Sequence, residues 1–306
     1  YAYGLSSELI SDVTSAGLIR VASLRDIENL DYSTLNNSEL SEKLFVRYIA
    51  HGSIWKIDSV FQLSMELYDT KTSQVLWSEN WQRTWHEIAT IKDNLADNIL
   101  KTLKVYTKTA APTPAINMKA YEYYLRANYI YEKREDMKDT EIALGLYQKA
   151  IELDANLIKA KNSLGWTYYE SGDYDIAMDI YISAFKQAEE LGDKNGIGSS
   201  LNGIGLVYWD KGDNDKALEY FIRSLTIQEE LGDKNGIGTA LNDIGLVYFE
   251  EGDYDKALDY NGRSLAISEE LDNKWAIGNS LSNTGVCYNN KGDYDTALDY
   301  LKRAFT

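Results

Sequence analysis

Residues 190–269 hold one forty-residue unit written twice, and no other feature limits the fold so strongly. Glu190–Glu229 reads ELGDKNGIGSSLNGIGLVYWDKGDNDKALEYFIRSLTIQE. Glu230–Glu269 follows as ELGDKNGIGTALNDIGLVYFEEGDYDKALDYNGRSLAISE, identical at 28 of 40 positions without a gap. A fixed period of this size means a supersecondary unit that buries its apolar face by stacking on copies of itself. Weaker copies flank the pair, in phase with it. Leu164-Gly165, Tyr168, Ala177 and Tyr181 precede Ile204-Gly205, Tyr208, Ala217 and Phe221. Ile244-Gly245, Tyr248 and Ala257 follow, then Gly285, Tyr288, Ala297 and Leu301. A more divergent unit uses Tyr121, Tyr124, Ala127, Ala143, Tyr147 and Ala150.

These positions have a physical reading as helical hairpins. A glycine inside a helix costs roughly 1 kcal/mol relative to alanine. Gly165, Gly205, Gly245 and Gly285 therefore need a packing reason, and close approach of the hairpin's second helix supplies one. Gly-Asp at 172–173, 212–213, 252–253 and 292–293 ends one helix and caps the next. Between units, LGDKNG turns the chain again.

The repeat resembles the tetratricopeptide pattern of W-x2-L-G-x2-Y followed by A-x3-F. The resemblance covers 118–306 and implies an all-α solenoid, a right-handed superhelix of five hairpins at 118–157, 158–197, 198–237, 238–277 and 278–306. A forty-residue period exceeds the usual length of 34. In that respect the array is similar to those of kinesin light chain and of spindle-orientation adaptors, which bind extended peptides.

Residues 1–117 read differently, and the whole is expected to be α+β. Gly4–Thr14 carries Leu5, Leu9, Ile10 and Val13 at helical spacing, and Leu18–Ser23 reads as a short buried strand. Ser38–Leu44 is a short polar helix. Phe45–Trp55, Val60–Tyr68 and Gln74–Trp81 are strands; in the second, Phe61, Leu63, Met65 and Leu67 alternate with polar residues. Asp69–Thr72 supplies a hairpin turn, and His86–Tyr106 is a closing helix with one apolar side. This order, with YIAHGSIWKIDSVFQLSMELYDTKTSQVLWSENWQRT at Tyr48–Thr84 and GLSSELI near the start, resembles the TolB amino-terminal-like domain of bacterial signalling proteins. The resemblance spans about 1–107 and implies a small α/β sensing module with a mixed sheet. Members of that family open with a further strand, which this chain lacks. Either the chain is part of a longer polypeptide, the favoured reading, or its sheet has an unpaired edge. Residues 108–117 form the linker, where Pro112 and Pro114, the only prolines, keep their preceding residues out of helix.

Charge narrows the partners. Residues 118–306 hold 20 Lys and Arg against 34 Asp and Glu, whereas 1–117 hold 11 against 14. An acidic array is unsuited to a phosphate backbone and excludes nucleic acid as the expected partner. It is compatible with basic partners or simply with a solvated surface. The single cysteine, Cys287, permits no intrachain disulfide. No apolar run is long enough to span a membrane.

Three motif lookalikes carry no chemistry. GDKNGIG (192–198, 232–238) lacks the closing Gly-Lys-Ser/Thr of a phosphate loop. GDYDKALDY misplaces the glycine and glutamate of a calcium loop. Cys287 occupies the position of Val207 and Val247, a packing position. Trp55, Trp77, Trp81 and Trp85 are expected to pack in the core or along sheet edges. His51 and His86 have no cysteine near enough in sequence for a zinc spacing. The chain therefore reads as non-catalytic, with no metal and no cofactor.

Function is expected on the first-helix face lining the concave side of such a superhelix. Its rows are Asn162, Trp166, Tyr169 and Glu170; Asn202, Leu206, Trp209 and Asp210; Asn242, Leu246, Phe249 and Glu250; and Ser282, Val286, Asn289 and Asn290. Each asparagine can offer a donor and an acceptor to a peptide backbone. The aromatics offer apolar pockets, and the carboxylates favour a basic protein or extended peptide. Alternatively, near-identical repeats copy every residue, ligand or none. Alanine at Asn202 and Asn242 is expected to weaken binding and leave the melting temperature nearly unchanged. Asn261 and Gly262 replace bulky residues, so the fourth unit's second helix should be weak. Tyr300, Leu301 and Phe305 lack a polar capping helix, which suggests continuation of the array or self-association through that end.

Overall fold

The computed structural model describes residues 35–44, 46–57, 60–84, 88–103, 117–271 and 273–304, with scattered positions between 6 and 34. The chain divides into two compact units, Tyr1–Asp154 and Ala155–Thr306.

In the first unit, helix α1 (Asn37–Leu44) precedes strands β1 (Tyr48–Ile57), β2 (Val60–Asp69) and β3 (Gln74–Thr84), and helix α2 (Ile88–Thr102) follows. The three strands form an antiparallel meander in the order β1-β2-β3. Leu18–Ser23, expected as a further strand, lies outside the described residues apart from Ala22. The alternation in β2 has its predicted consequence: Phe61, Leu63 and Leu67 are buried. A register shift between Leu67 and Tyr68 marks a bulge against β3. Asp69, at the end of β2, is nearly inaccessible; Arg47 clamps it through Nε at 3.1 Å and Nη2 at 2.8 Å. The guanidinium, helped by the Lys71 amide, holds the Asp69 carboxyl down at about 2. Trp81 is buried and Trp77 packs on it at 5.8 Å, but Trp55 is exposed, so its expected packing role does not hold. Trp85 and His86 lie outside the described residues. His51 lies across the sheet from Glu66 at 3.4 Å. Val13 is buried against Ala96 and Leu100 of α2.

The helices that follow pair into hairpins. The first unit closes with α3 (Met118–Glu132) and α4 (Met137–Leu153). The second holds α5 (Ile158–Glu170) with α6 (Tyr174–Leu191), α7 (Lys194–Asp210) with α8 (Asn214–Leu231), α9 (Lys234–Glu250) with α10 (Tyr254–Glu270), and α11 (Lys274–Asn290) with α12 (Tyr294–Ala304).

Gly212 shows how the hairpins close. It adopts φ 77°, a left-handed conformation only glycine takes freely, and Asp213 N–H reaches back to Tyr208 O at 2.9 Å. Asp213 Oδ1 then accepts the Lys216 amide, capping α8. Only Gly192 of GDKNGIG is a left-handed terminator; Lys194 onward is already the first turn of α7. Gly198 is small because α8 passes close by: a Cβ there would lie 2.6 Å from Gln228 Nε2. Ser224 Oγ donates to Gly198 O at the same crossing, 2.9 Å. The apparent phosphate loop is a helix–helix contact.

In the α5–α6 and α7–α8 hairpins the repeat glycine makes room for an aromatic; Gly245 and Gly285 face Asn261 and Leu301 instead. A Cβ on Gly205 would lie 2.6 Å from the Phe221 ring, and on Gly165 it would lie 2.8 Å from Tyr181. The Phe221 core comprises Ala217, Phe221, Leu225, Ala240, Leu241, Ile244 and Val247. Forty residues on, the same places hold Ala257, Asn261, Leu265, Ser280, Leu281, Thr284 and Cys287. Helix α10 is unbroken, so the expected weakness lies in packing, not in the helix itself. Asn261 is 1% exposed; its Nδ2 reaches Cys287 Sγ at 3.9 Å and its Oδ1 has no partner. Burial pushes the Cys287 thiol up, in keeping with a packing residue. Because Gly245 keeps the space that Gly205 gives Phe221, Asn261→Phe is expected to stabilise the α10–α11 junction by about 2 kcal/mol. Slower amide exchange over 254–304 would show it; unchanged exchange would refute it.

Candidate peptide-binding face

The first helices α5, α7, α9 and α11 adjoin one another in order, which brings the predicted rows onto one face. Asn162, Asn202 and Asn242 are half-buried, as are Leu206, Leu246, Tyr169, Trp209 and Phe249. Trp166, Glu170, Asp210, Glu250, Asn289 and Asn290 are exposed. Trp166 packs at a tilt against Tyr169, ring centroids 5.4 Å apart, and Phe249 likewise against Tyr254 at 5.6 Å.

The polar residues form cross-repeat pairs, mostly forty-one positions apart. Tyr169 hydrogen-bonds Asp210, and Trp209 Nε1 donates to Glu250 Oε2 at 2.7 Å. The third aromatic, Phe249, has no donor, so this row ends there; Asn290 turns instead to Val286 O at 2.9 Å. Burial and the Asp210 bond push the Tyr169 phenol far above its ordinary value. In the asparagine row, Asn202 Nδ2 donates to Asp243 Oδ2 at 2.7 Å, and Asn283 Nδ2 donates to Asn242 Oδ1 at 2.9 Å. Asn162 Oδ1 accepts from Ser200 Oγ at 2.8 Å. Asn289 is exposed near the end of α11 and is drawn into none of these pairs.

Each asparagine therefore offers a ligand less than its full capacity, because one end of the amide is engaged by the next repeat. The expectation that alanine at Asn202 and Asn242 leaves stability untouched fails on this geometry. Both side chains donate to Asp243, a buried carboxylate that would be left uncompensated. Burial raises Asp243 to about 6, against the opposing pull of Asn202 and Asn242. Sequence reasoning passed over Asp243, Asn283 and Ser200. The signal for Asp243 was present: it is the one change within LNGIGLVY, which becomes LNDIGLVY in the next repeat.

Among the described residues, no group of three or more His, Cys, Asp or Glu is arranged to hold a metal ion, and no helix is long and apolar enough to cross a membrane.

The tetratricopeptide repeat family profile matches residues 156–230, 196–270 and 236–306, each window one forty-residue unit beyond the last. Residues 156–306 are tetratricopeptide repeats. Solved structures share the fold. The crystal structure of BtubC (BKLC) from P. vanneervenii is 20% identical with a TM-score of 0.52, over 60% of this chain and 77% of that one. The crystal structure of a Rap protein complexed with competence and sporulation factor is 19% identical with a TM-score of 0.54, over 72% of this chain and 58% of that one. A curated relative from Rhizobium meliloti (strain 1021), provisionally named adenylate cyclase 3, is 20% identical over 169 residues. That match takes in 54% of this chain but spans only 29% of the relative.

Proposed function

We propose that the tetratricopeptide unit binds an extended, basic peptide or protein segment along the face of α5, α7, α9 and α11. In this reading the chain is a non-catalytic interaction and sensing region of a bacterial signalling protein. The observation that carries it is the row of exposed carboxylates Asp210 and Glu250, each held by an aromatic donor of the preceding repeat. Carboxylates fixed beside half-buried aromatics and partly free amides suit a cationic, extended ligand. The Rap protein, of like fold, was solved with a bound factor, which supports a ligand on such an array. The likeness to part of a longer protein named for cyclase activity supports a regulatory role beside such an effector. The β-sheet unit fits a sensing module of the TolB amino-terminal type, on the sequence features of Tyr48–Thr84.

The test is selection of peptides displayed on phage against the whole chain, with enrichment of Lys- and Arg-containing sequences expected. Glu170→Gln, Asp210→Asn and Glu250→Gln together remove three charges yet keep acceptors for Tyr169 and Trp209. Affinity for a selected peptide is expected to fall roughly tenfold, and to weaken with salt, with little change in melting temperature. Undiminished binding by the triple variant would rule the face out.

A further inference from the structure

Asp243 sits on α9 where the preceding repeat has Gly203 and the following one has Asn283. It is 8% exposed. As a carboxylate it only accepts, so the amides facing it must present N–H. Asn202 does so through Nδ2, which leaves its carbonyl oxygen free. Asn242 also bonds Asp243, and its oxygen is taken by Asn283 Nδ2. Its amide is therefore held at both ends, with one N–H left over. Asn162, beyond the reach of this chain of bonds, gives its oxygen to Ser200 and keeps its NH2. Three chemically identical side chains thus present three different faces.

We propose that Asp243 is the positioning residue of this face, orienting the Asn202 and Asn242 amides so that a bound peptide backbone meets a free carbonyl at Asn202 and an N–H at Asn242. The proposal rests on the peptide-binding reading above and adds a direction and register to it. A buried carboxylate placed among amides is otherwise an unfavourable choice, since glycine fills the same place one repeat earlier.

Protonation would let Asp243 donate and release the constraint, so the orientation depends on pH. The titratable group that senses its charge is the Tyr169 phenol of α5, itself bonded to Asp210 of α7. Of α7 and α11, the side chains in this chain of bonds are the neutral Asn202 and Asn283. Several cations of the surrounding helices are engaged elsewhere, Lys194 of α7 with Glu230 among them. On α8, Lys216 pairs with Asp213 and Arg223 lies over Tyr220; on α10, Lys256 pairs with Asp253 and Arg263 lies over Tyr260. Lys291, after α11, pairs with Asp255.

Nuclear magnetic resonance of the nitrogen-15-labelled whole chain tests this without a ligand. The Asn202 and Asn242 side-chain amide signals, identified by their loss in Asn202→Gln and Asn242→Gln, are expected to move together with one midpoint near pH 6. In Asp243→Asn, and in Asp243→Gly, which installs the residue of the preceding repeat, that midpoint should vanish. Signals that do not titrate in the natural chain, or that titrate alike in Asp243→Gly, overturn the proposal. A second arm uses a peptide selected on the natural chain: Asp243→Asn is expected to bind it at least tenfold more weakly, and equal affinity overturns the positioning role. If no peptide is selected, the peptide-binding reading falls, and the proposed orientation of a bound backbone falls with it; the magnetic resonance result then identifies which of the two ideas failed first.

Discussion

Gly205→Leu is expected to unfold the α7–α8 hairpin, lowering stability by roughly 3 kcal/mol. The Cβ alone would lie 2.6 Å from the Phe221 ring, and that ring is wholly inaccessible, so it has nowhere to retreat. Leucine is the better helix former by nearly 1 kcal/mol, which offsets only part of the overpacking. Gly262 provides the control. It lies in α10 with nothing within 4 Å of a built Cβ, so Gly262→Ala should stabilise by about 1 kcal/mol. Urea melts of both variants compare them directly. A Gly205→Leu chain as stable as its parent would mean that the glycine is not a packing requirement. Adding Phe221→Ala should then recover part of the loss, because the two side chains contend for one space.

The second large effect is expected at Asp243. Its native value, about 6, lies above the ordinary 3.8 of an unfolded aspartate. Between these values the native state holds more protons than the unfolded one, so stability falls as pH rises through that window. Above pH 6 the loss is complete and amounts to about 3 kcal/mol; below pH 4 it is absent. Asp243→Asn keeps an oxygen for both amides but carries no charge. It should therefore be more stable than the natural chain by roughly 2–3 kcal/mol at alkaline pH, and by little near pH 4. Thermal melts at both ends of the range measure this. A stability difference independent of pH would show that the carboxylate is not paying for its burial. Together with the peptide experiment, this asks whether the chain keeps a costly group because the face needs it.

Much of the fold was legible because repetition reports packing. Gly205 and Phe221 stand in phase with Gly165 and Tyr181, so the glycine had to answer to something in the second helix. The alternation of Phe61, Leu63 and Leu67 likewise announced a half-buried strand. Less legible were features that depend on an exact neighbour across repeats. The Asn202–Asp243 and Trp209–Glu250 bonds join residues forty-one apart, one more than the period. A comparison of repeats in register looks past that offset. Trp55 was misjudged for a related reason: strand aromatics pack only where the sheet has a covered face, and β1 leaves this one exposed.

The sequence by itself determined that the chain has a forty-residue helical repeat, where each hairpin turns, and which face gathers amides, aromatics and carboxylates. Those follow from local geometry, since helical period, glycine and capping residues act within a few positions of themselves. Only the tertiary structure decided which of those polar groups are already engaged with one another. Hydrogen-bond partners across stacked helices are set by the relative placement of two repeats, to within a few tenths of an ångström. No pattern along one chain carries that distance.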